Sequence, residues 1–175
     1  MADRRAVLVP GQAYDTQAPL FAYIGEALRR SDFDLHEISW QVPETPGQDQ
    51  IGAWVAEQVA PSLNEPTDLV VGKSLGSLAA PLAAERQVPA VWLTPLLHMP
   101  GVVTALERAT EPFLLIGGGA DPLWDGPLAS RLTRHVLEIL DADHSLLVPG
   151  PMVASADALG RVCMAVEEFV RITSV

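Results

Sequence analysis

The sequence predicts an α/β protein of three layers, α/β/α, in which about six mostly parallel strands are covered by helices on both faces. Six short β-rich runs alternate with helical patterns along the 175 residues, without internal repeats or low-complexity tracts. This alternation is typical of a parallel sheet with helices on both sides. The hydrophobic content of 49% suits a sizeable core, and we expect a single domain over residues 1–175.

Each predicted strand is a short apolar run that ends at a turn signal or at a change of hydrophobic period. The first ends at Pro10-Gly11, the second shows the alternation of a half-exposed strand, and the fifth runs into Gly118-Gly119. The six predicted strands are Ala6–Val9, Leu35–Trp40, Leu69–Val71, Ala90–Leu93, Pro112–Gly117 and Val136–Leu140.

The helices are predicted from apolar residues at helical spacing, and Pro19 fits the first turn of the first one. Val42–Gly47, which is rich in proline, is predicted to be a loop. Because crossover connections are right-handed, all loops that follow a strand should lie on one edge of the sheet. The predicted helices are Pro19–Arg30, Ile51–Val59, the stretch from Gly76 to Arg86, about Val102–Ala109, about Leu128–Thr133 and Met152 to about Ile172.

The segment Gly72-Lys73-Ser74-Leu75-Gly76 joins an apolar β-branched run to an Ala/Leu-rich helical pattern. Between a strand and a helix, Ser74 would occupy the tip of a sharp, strained turn and expose its hydroxyl above the C-terminal edge of the sheet. A Cβ at Gly72 or Gly76 would collide with the turn and with the backbone of the entering helix. The spacing therefore predicts a nucleophile elbow.

Gly72-Lys73-Ser74 is also the end of a Walker A phosphate-binding motif. That motif has a glycine five residues before Gly72, where this chain has Thr67, and a loop where this chain has a predicted strand. A buried strand cannot cradle phosphates with its amides, so the elbow is favoured. We expect Lys73 to be a passive residue of the elbow, with its side chain turned away from the reacting carbon.

Three residues that could act together each follow a predicted strand, namely Ser74, Asp121 and His144. A serine hydroxyl needs a base to take its proton as it attacks, and histidine suits that work near neutral pH. The imidazole in turn needs a carboxylate that fixes its tautomer and stabilises its cation. The three residues thus supply the minimum for acyl transfer, and the sheet should bring them to one rim.

Other histidines and acids are weaker candidates because of where they fall in the chain. His36 lies within a strand, His135 precedes one, and His98 follows the fourth strand, where we expect a pocket wall or a surface position. Asp125 is the alternative to Asp121 within the same loop.

Acyl transfer also needs hydrogen-bond donors for the oxyanion of the tetrahedral intermediate. The backbone N–H of Leu75, at the start of the helix after the serine, is one candidate. The backbone N–H of Gln12 is the second, because Gly11 lets the loop after the first strand approach closely. Trp40 and Trp124, each near the end of a strand, could line an apolar acyl pocket or simply pack in the core.

Composition excludes several classes of function. The net charge of −11 and a pI near 4.6 leave no basic face for nucleic acid. No apolar run approaches the roughly 18 residues of a membrane span, and too few apolar residues precede Pro10 for a signal peptide, so we expect a soluble cytoplasmic protein. The single cysteine, Cys163, should be buried and inert.

Together these residues resemble the α/β-hydrolase superfamily, in particular its small lid-less members that are similar to dienelactone hydrolases and carboxylesterases. Gly72–Gly76, Ile116–Asp121 and Ala142–Leu146 look like the nucleophile, acid and histidine segments, and Pro10–Gln12 is similar to the oxyanion loop. The resemblance spans essentially the whole chain. It implies a minimal α/β-hydrolase fold and an acyl-enzyme mechanism.

The chain departs from larger members of that superfamily in two respects. It lacks their two additional N-terminal strands, and only about twenty residues follow Ala90–Leu93 before the next strand, which is too few for a cap domain. An uncapped site is open to water, so hydrolysis is favoured over chemistry that must exclude water.

The sequence therefore predicts a serine hydrolase that cleaves a small ester or thioester, with no cofactor, no metal, no nucleic-acid partner and no membrane span. The alternative is a non-catalytic protein of the same fold that binds a small ligand or a protein partner. A flavodoxin-like nucleotide binder is a third reading, but the glycines at 117 to 119 do not form the Gly-x-Gly-x-x-Gly motif.

Overall fold

The computed structural model describes residues 4–44 and 47–173, and among them six strands form one sheet in which every neighbouring pair is parallel. The strands lie in the order β2-β1-β3-β4-β5-β6, so the predicted α/β class and strand number are confirmed. Their bounds are β1 Arg4–Val9, β2 Phe33–Glu37, β3 Leu69–Lys73, β4 Ala90–Leu93, β5 Phe113–Gly118 and β6 Val136–Ile139.

Helices cover both faces of the sheet, because the strands carry buried apolar residues on both sides. In β3, Val70 packs on one face, whereas Leu69 and Val71 pack on the other. Helices α1 and α6 cover the face of Leu69, and the other four helices cover the face of Val70. The helices are α1 Pro19–Arg30, α2 Gln48–Val59, α3 Ala80–Arg86, α4 Pro100–Arg108, α5 Gly126–Leu132 and α6 Met152–Thr173.

The strand order reverses between β1 and β3. The chain passes from β1 to the edge strand β2 through α1 on one face, and from β3 to β4 through α3 on the opposite face. In open parallel sheets, ligands bind outside the carboxyl ends of the strands at such a switch point. The loop after β1 and the residue after β3 therefore border the expected binding position.

Several element bounds differ from those predicted. Strand β2 starts at Phe33 and ends at Glu37, because its ladder with β1 runs only from the Arg4–Phe33 pair to the Leu8–Glu37 pair. Past Glu37, the amide of Ile38 still donates to the Leu8 carbonyl at 3.0 Å, but β1 then ends. Helices α4 and α5 begin two residues earlier than predicted, each with a proline in its first turn. The predicted loop Val42–Gly47 includes residues 45 and 46, which lie outside the described residues.

Only α4 lies between β4 and β5, so no cap domain is inserted there. Across residues 4–44 and 47–173, no helix combines the length and the apolar character that crossing a bilayer requires.

Candidate active site

Ser74 begins the turn that follows β3. The turn is a 3-10 helix, Ser74–Ala79, which leads into α3, where we had expected one continuous helix. The φ of Ser74 is 49°, in the left-handed region that L-residues seldom adopt. The backbone is therefore strained at the residue whose hydroxyl the turn exposes, as expected of a nucleophile elbow.

Two glycines allow the elbow to pack closely. A Cβ on Gly76 would lie 2.5 Å from the carbonyl oxygen of Val9, so a larger residue would push the 3-10 helix away from the end of β1. A Cβ on Gly72 would lie 2.6 Å from the ring of Trp92 and 3.0 Å from the Gly76 oxygen. The clash at Gly72 includes the turn, as expected, whereas Gly76 is required by β1 rather than by the entering helix.

The structure brings Ser74, His144 and Asp121 together at the carboxyl edge of the sheet. His144 Nε2 lies 2.8 Å from Ser74 Oγ, although the two residues are 70 positions apart in the chain. His144 Nδ1 lies 2.6 Å from Asp121 Oδ2. When Nδ1 donates to the carboxylate, Nε2 presents its lone pair to the serine hydroxyl, which is the geometry that general-base activation of a serine needs.

The acid and histidine loops meet because the end of β5 is made of glycine. A Cβ on Gly118 would lie 2.2 Å from the carbonyl oxygen of Ala142, and one on Gly119 would lie 2.2 Å from that of Leu140. With hydrogen there instead, the Ala120 amide donates to the Ala142 carbonyl at 3.0 Å. This backbone contact places Asp121 beside His144.

The carboxylate and the imidazole differ in exposure. The side chain of Asp121 is 1% exposed and that of His144 is 34% exposed. The second carboxylate oxygen of Asp121 accepts a hydrogen bond from the Leu123 amide at 2.9 Å. Both oxygens of the buried acid are thus engaged, whereas the imidazole is partly exposed and lines the cleft at Ser74.

Asp143 and Asp125 serve their own loops. Asp143 Oδ1 accepts from the amides of Ser145 and Leu147 and so shapes the histidine loop. Asp125, the alternative acid, instead caps α5 by accepting from the Leu128 amide at 2.8 Å.

A cleft of 530 Å³ opens at Ser74. Gln12 and Leu75, whose amides the sequence predicts as oxyanion donors, both line it. The N–H of Leu75 belongs to the first turn of its 3-10 helix, where amides have no acceptor within the helix. Gly11 donates to the Tyr14 carbonyl at 2.8 Å, and this turn carries Gln12. Other residues that line the cleft are Gly11, Ala13, Tyr14, Lys73, Leu96, His98, Leu123, His144 and Ser145.

Of the residues predicted as possible pocket lining, His98 borders the cleft, but Trp40 and Trp124 lie elsewhere. Trp40 donates to the Gly11 carbonyl at 3.0 Å and lines a neighbouring cavity of 690 Å³. Trp124 packs against Gly117, where a Cβ would lie 2.1 Å from its ring, and donates to Glu138 at 2.7 Å. Because Gly117 has no side chain, the indole can pack directly on the sheet, where it lies outside the cleft.

Lys73 makes contacts that the sequence analysis missed. Its side chain is not turned away from the site: Nζ donates to the backbone carbonyl of His144 at 2.8 Å and to Thr94 Oγ1 at 2.9 Å. The ammonium also lies 4.9 Å from the centre of the Tyr14 ring. The expectation of a passive elbow residue is therefore wrong as regards its contacts.

The surroundings of Lys73 also alter its protonation. Lys73 is 2% exposed, and this burial lowers the pKa of its ammonium to about 8, because the charged form loses its hydration. The negative charges of Asp121 and Asp143 act in the opposite direction but only partly offset the effect.

Neither a metal site nor a reactive thiol is found among the described residues. No group of three or more His, Cys, Asp and Glu side chains there could hold a metal ion. Cys163 is half-buried rather than buried, and burial raises the pKa of its thiol, which disfavours the reactive thiolate.

No protein-family model matches the chain, and no curated protein matches it. Among solved structures, the chain is similar to Est1E from Butyrivibrio proteoclasticus, with a TM-score of 0.72 and 14% identity over 97% of this chain and 88% of that one. A lid-less α/β serine hydrolase from Xanthomonas campestris matches with a TM-score of 0.59 and 15% identity, over 94% of this chain and 81% of that one.

The chain is also similar to a monoacylglycerol lipase from Paleococcus ferrophilus, with a TM-score of 0.63 and 15% identity over 93% of both chains. At these identities, the similarities concern the arrangement of strands and helices and not the residues of the site.

Proposed function

From the α/β-hydrolase fold of this chain, we propose that it is a serine hydrolase that cleaves a small ester or thioester through an acyl-enzyme. One observation carries the proposal: His144 lies between Ser74 and Asp121, with hydrogen-bond distances of 2.8 and 2.6 Å to its two ring nitrogens. A single imidazole held in this way can take the serine proton and keep its tautomer fixed.

In the proposed acylation, the Ser74 hydroxyl proton passes to the leaving group through His144, and the bond between the acyl carbon and the leaving group is replaced by a bond to Ser74 Oγ. Ser74 Oγ attacks the substrate carbonyl carbon while His144 Nε2 takes the hydroxyl proton, and Asp121 stabilises the resulting imidazolium. The amides of Gln12 and Leu75 donate to the oxyanion. When the tetrahedral intermediate collapses, the alkoxide or thiolate leaves with the proton from His144, and the acyl group stays on Oγ.

Deacylation follows the same path with water as the nucleophile. His144 takes a proton from the water as its oxygen attacks the acyl carbon, and returns that proton to Ser74 Oγ. The cleft is open and no cap domain is inserted between β4 and β5 in the described part of the chain, so water can reach the acyl-enzyme. This openness favours hydrolysis over transfer of the acyl group to an acceptor that must compete with water.

The test is hydrolysis of p-nitrophenyl esters by the wild type, by Ser74→Ala and by Ser130→Ala. Ser130 is an exposed serine on α5, away from the cleft, so its variant should keep the wild-type rate. Loss of the Ser74 hydroxyl should lower kcat by roughly 10⁴ to 10⁶, as in serine protease triads. Equal rates for the wild type and Ser74→Ala would remove Ser74 from the mechanism.

The substrate panel should cover several acyl classes. One solved structure of Est1E has ferulic acid bound, and the Paleococcus protein is a lipase of monoacylglycerols, so hydroxycinnamoyl esters and monoacylglycerols are included. An apolar groove of 370 Å³, which contains Leu146 and Leu147, shares Tyr14 and Ser145 with the cleft. The panel therefore runs from acetyl to octanoyl esters, and includes thioesters of the same acyl groups.

The second candidate is a non-catalytic protein of this fold that binds a ligand or a protein partner in the same cleft. It would bind acyl compounds without turnover, and a fluorophosphonate would leave its serine unmodified.

A cytoplasmic location stays a prediction from the sequence, which fractionation of cells that express the protein would test.

A further inference from the structure

Lys73 is the only lysine among the 175 residues, and the other ten basic residues are arginines. It occupies a buried position, 2% exposed, directly before the candidate nucleophile. Burying an ammonium group is unfavourable, so a residue that merely fills space there would be apolar. The charge and the donors of this side chain therefore need a reason.

The ammonium of Lys73 connects three parts of the site. It donates to Thr94 at the end of β4 and to the backbone carbonyl of His144, and it lies over the Tyr14 ring in the loop after β1. Lys73 is also bonded covalently to Ser74. The contact with the His144 carbonyl, at 2.8 Å, is thus a second link between the nucleophile and its base, alongside the Oγ–Nε2 hydrogen bond.

We propose that Lys73 is a positioning residue, whose ammonium group holds the His144 loop so that the imidazole stays within reach of Ser74. The proposal rests on the proposed hydrolase function. Reactions of this kind tolerate little displacement, and a shift of about 1 Å can cost on the order of 10² in rate. Hydrogen bonds from a charged donor are roughly twice as strong as neutral ones, which suits an ammonium to this task.

The proposal gives a sign for the dependence on pH. The charged groups near Lys73 are Asp121 and Asp143, with the neutral Tyr14 and Thr94 and the His144 loop around them. As the pH rises through about 8, the ammonium becomes a neutral amine, and its bond to the His144 carbonyl weakens. Activity should then fall. A lysine that acted as the base would show the opposite trend, because it would need to lose its proton first.

Because the chain has one lysine, labelling with [¹⁵N]lysine gives a single Nζ signal that reports the titration of Lys73 directly. We expect the midpoint of this titration to coincide with the alkaline limb of kcat/KM for the best ester of the panel. In Lys73→Met, kcat should fall by roughly 10 to 100-fold with KM within about twofold, and the alkaline limb should disappear. Lys73→Arg, which keeps its charge at high pH, should recover part of kcat without that limb.

A second pair of variants leaves Lys73 in place. Thr94→Val removes the hydroxyl that accepts from Nζ, and Thr94→Ser keeps it. We expect the valine variant to lower both the Nζ midpoint and the alkaline limb by the same amount, and the serine variant to leave both unchanged. A limb that stays in place while the Nζ midpoint moves would overturn the proposal even if Lys73→Met does not fold.

The two proposals fail in different ways. If Ser74 of the wild type does not react with a fluorophosphonate, the hydrolase function is wrong, and the role of Lys73 falls with it. If Ser74 reacts but folded Lys73→Met keeps the wild-type kcat and pH profile, the positioning role alone is wrong. Activity that rises through the Nζ midpoint would also overturn it, in favour of Lys73 as a base.

Discussion

Asp121 uses both oxygens of its carboxylate, one towards His144 Nδ1 at 2.6 Å and one towards the Leu123 amide at 2.9 Å. Both partners donate, and a carboxylate is the side chain that can accept from both with full negative charge. At the scale of single residues, the proposed chemistry therefore depends on which atom of each side chain is engaged.

Asp121→Asn tests this arrangement. The amide has one oxygen, so either the Leu123 bond or the His144 bond is lost, and an amide nitrogen facing Nδ1 would favour the wrong imidazole tautomer. We expect kcat to fall by roughly 10⁴ with the fold retained, as in the corresponding change of serine protease triads. Kinetics of the variant, with circular dichroism as the control, measure the effect. A loss below tenfold would show that Asp121 does not orient the base.

Lys73→Met also has an expected effect on stability. The pKa of Lys73 is about 8 in the folded state and near 10.5 when exposed, so the unfolded chain binds the proton more tightly. Folding is therefore penalised below pH 8, and the penalty is relieved as the pH rises from 8 to 10.5. At 1.36 kcal/mol for each unit of pKa, the penalty is about 3 kcal/mol.

Urea unfolding of the wild type and Lys73→Met between pH 7 and pH 10.5 measures this penalty. Because burial also raises the pKa of Cys163 and of Tyr14, which are present in both proteins, the difference between the wild type and the variant is the quantity to compare. The free energy of unfolding of the wild type should gain about 3 kcal/mol relative to the variant across that range. Parallel curves would mean that the pKa of Lys73 is not depressed.

At the scale of elements, close backbone contacts bring the loops together. The elbow packs against the end of β1 through Gly76, and the acid loop packs against the histidine loop through Gly118 and Gly119. Each contact puts a glycine against a carbonyl oxygen of the neighbouring segment, at a distance that a side chain would close. The site is thus assembled by backbone approach as well as by its three candidate catalytic residues.

Gly76→Ala and Gly160→Ala form a matched pair of variants that tests whether the close backbone contact at Gly76 is required. The Cβ on Gly76 would lie 2.5 Å from the Val9 oxygen, whereas nothing lies within 4 Å of one on Gly160, which is exposed in α6. We expect Gly76→Ala to lose roughly 1–3 kcal/mol of stability and at least tenfold in kcat. Gly160→Ala should gain roughly 0.5–1 kcal/mol.

Thermal unfolding and ester hydrolysis of the two variants provide the comparison. If Gly76→Ala kept both the stability and the kcat of the wild type, the close approach of the elbow to β1 would not be required for the site.

The elements that sequence analysis predicted best are those whose signal is local. The apolar run of β4 and the proline at the start of α1 predict the observed bounds of these elements, and the apolar run of β3 predicts its start and places its end two residues early. Strand β2 was placed too late because its end depends on where β1 stops pairing, which the segment itself does not encode. The polar first turn of α2 likewise carries no apolar period.

At the scale of the molecule, the parallel sheet brings residues that are far apart in the chain close together in space. Loops that follow β1, β3, β5 and β6 lie at one edge, so residues 70 positions apart come within hydrogen-bond distance. This consequence of parallel topology was predictable from the sequence, and it is why the convergence of Ser74, Asp121 and His144 could be expected. The reach of Lys73 to Thr94 and to the His144 carbonyl was not predictable, because it depends on side-chain paths between three loops.

The positions of the tryptophans show the same limit. A strand-end tryptophan can point into a cleft or fold back onto the sheet. Trp124 lies on the sheet because Gly117 has no side chain at the position of its ring, and because its indole N–H donates to Glu138 on β6. Both partners lie outside its own loop, so its sequence neighbours gave no signal.

The claim that His144 activates Ser74 is tested most directly by identifying the residue that a fluorophosphonate modifies in the folded protein. Mass spectrometry of the intact chain and of its peptides gives this residue. The predicted result is one adduct, on Ser74, which is absent in Ser74→Ala and much slower to form in His144→Ala. No adduct on the folded wild type, or an adduct on another residue that forms equally fast in Ser74→Ala, would contradict the claim that His144 activates Ser74.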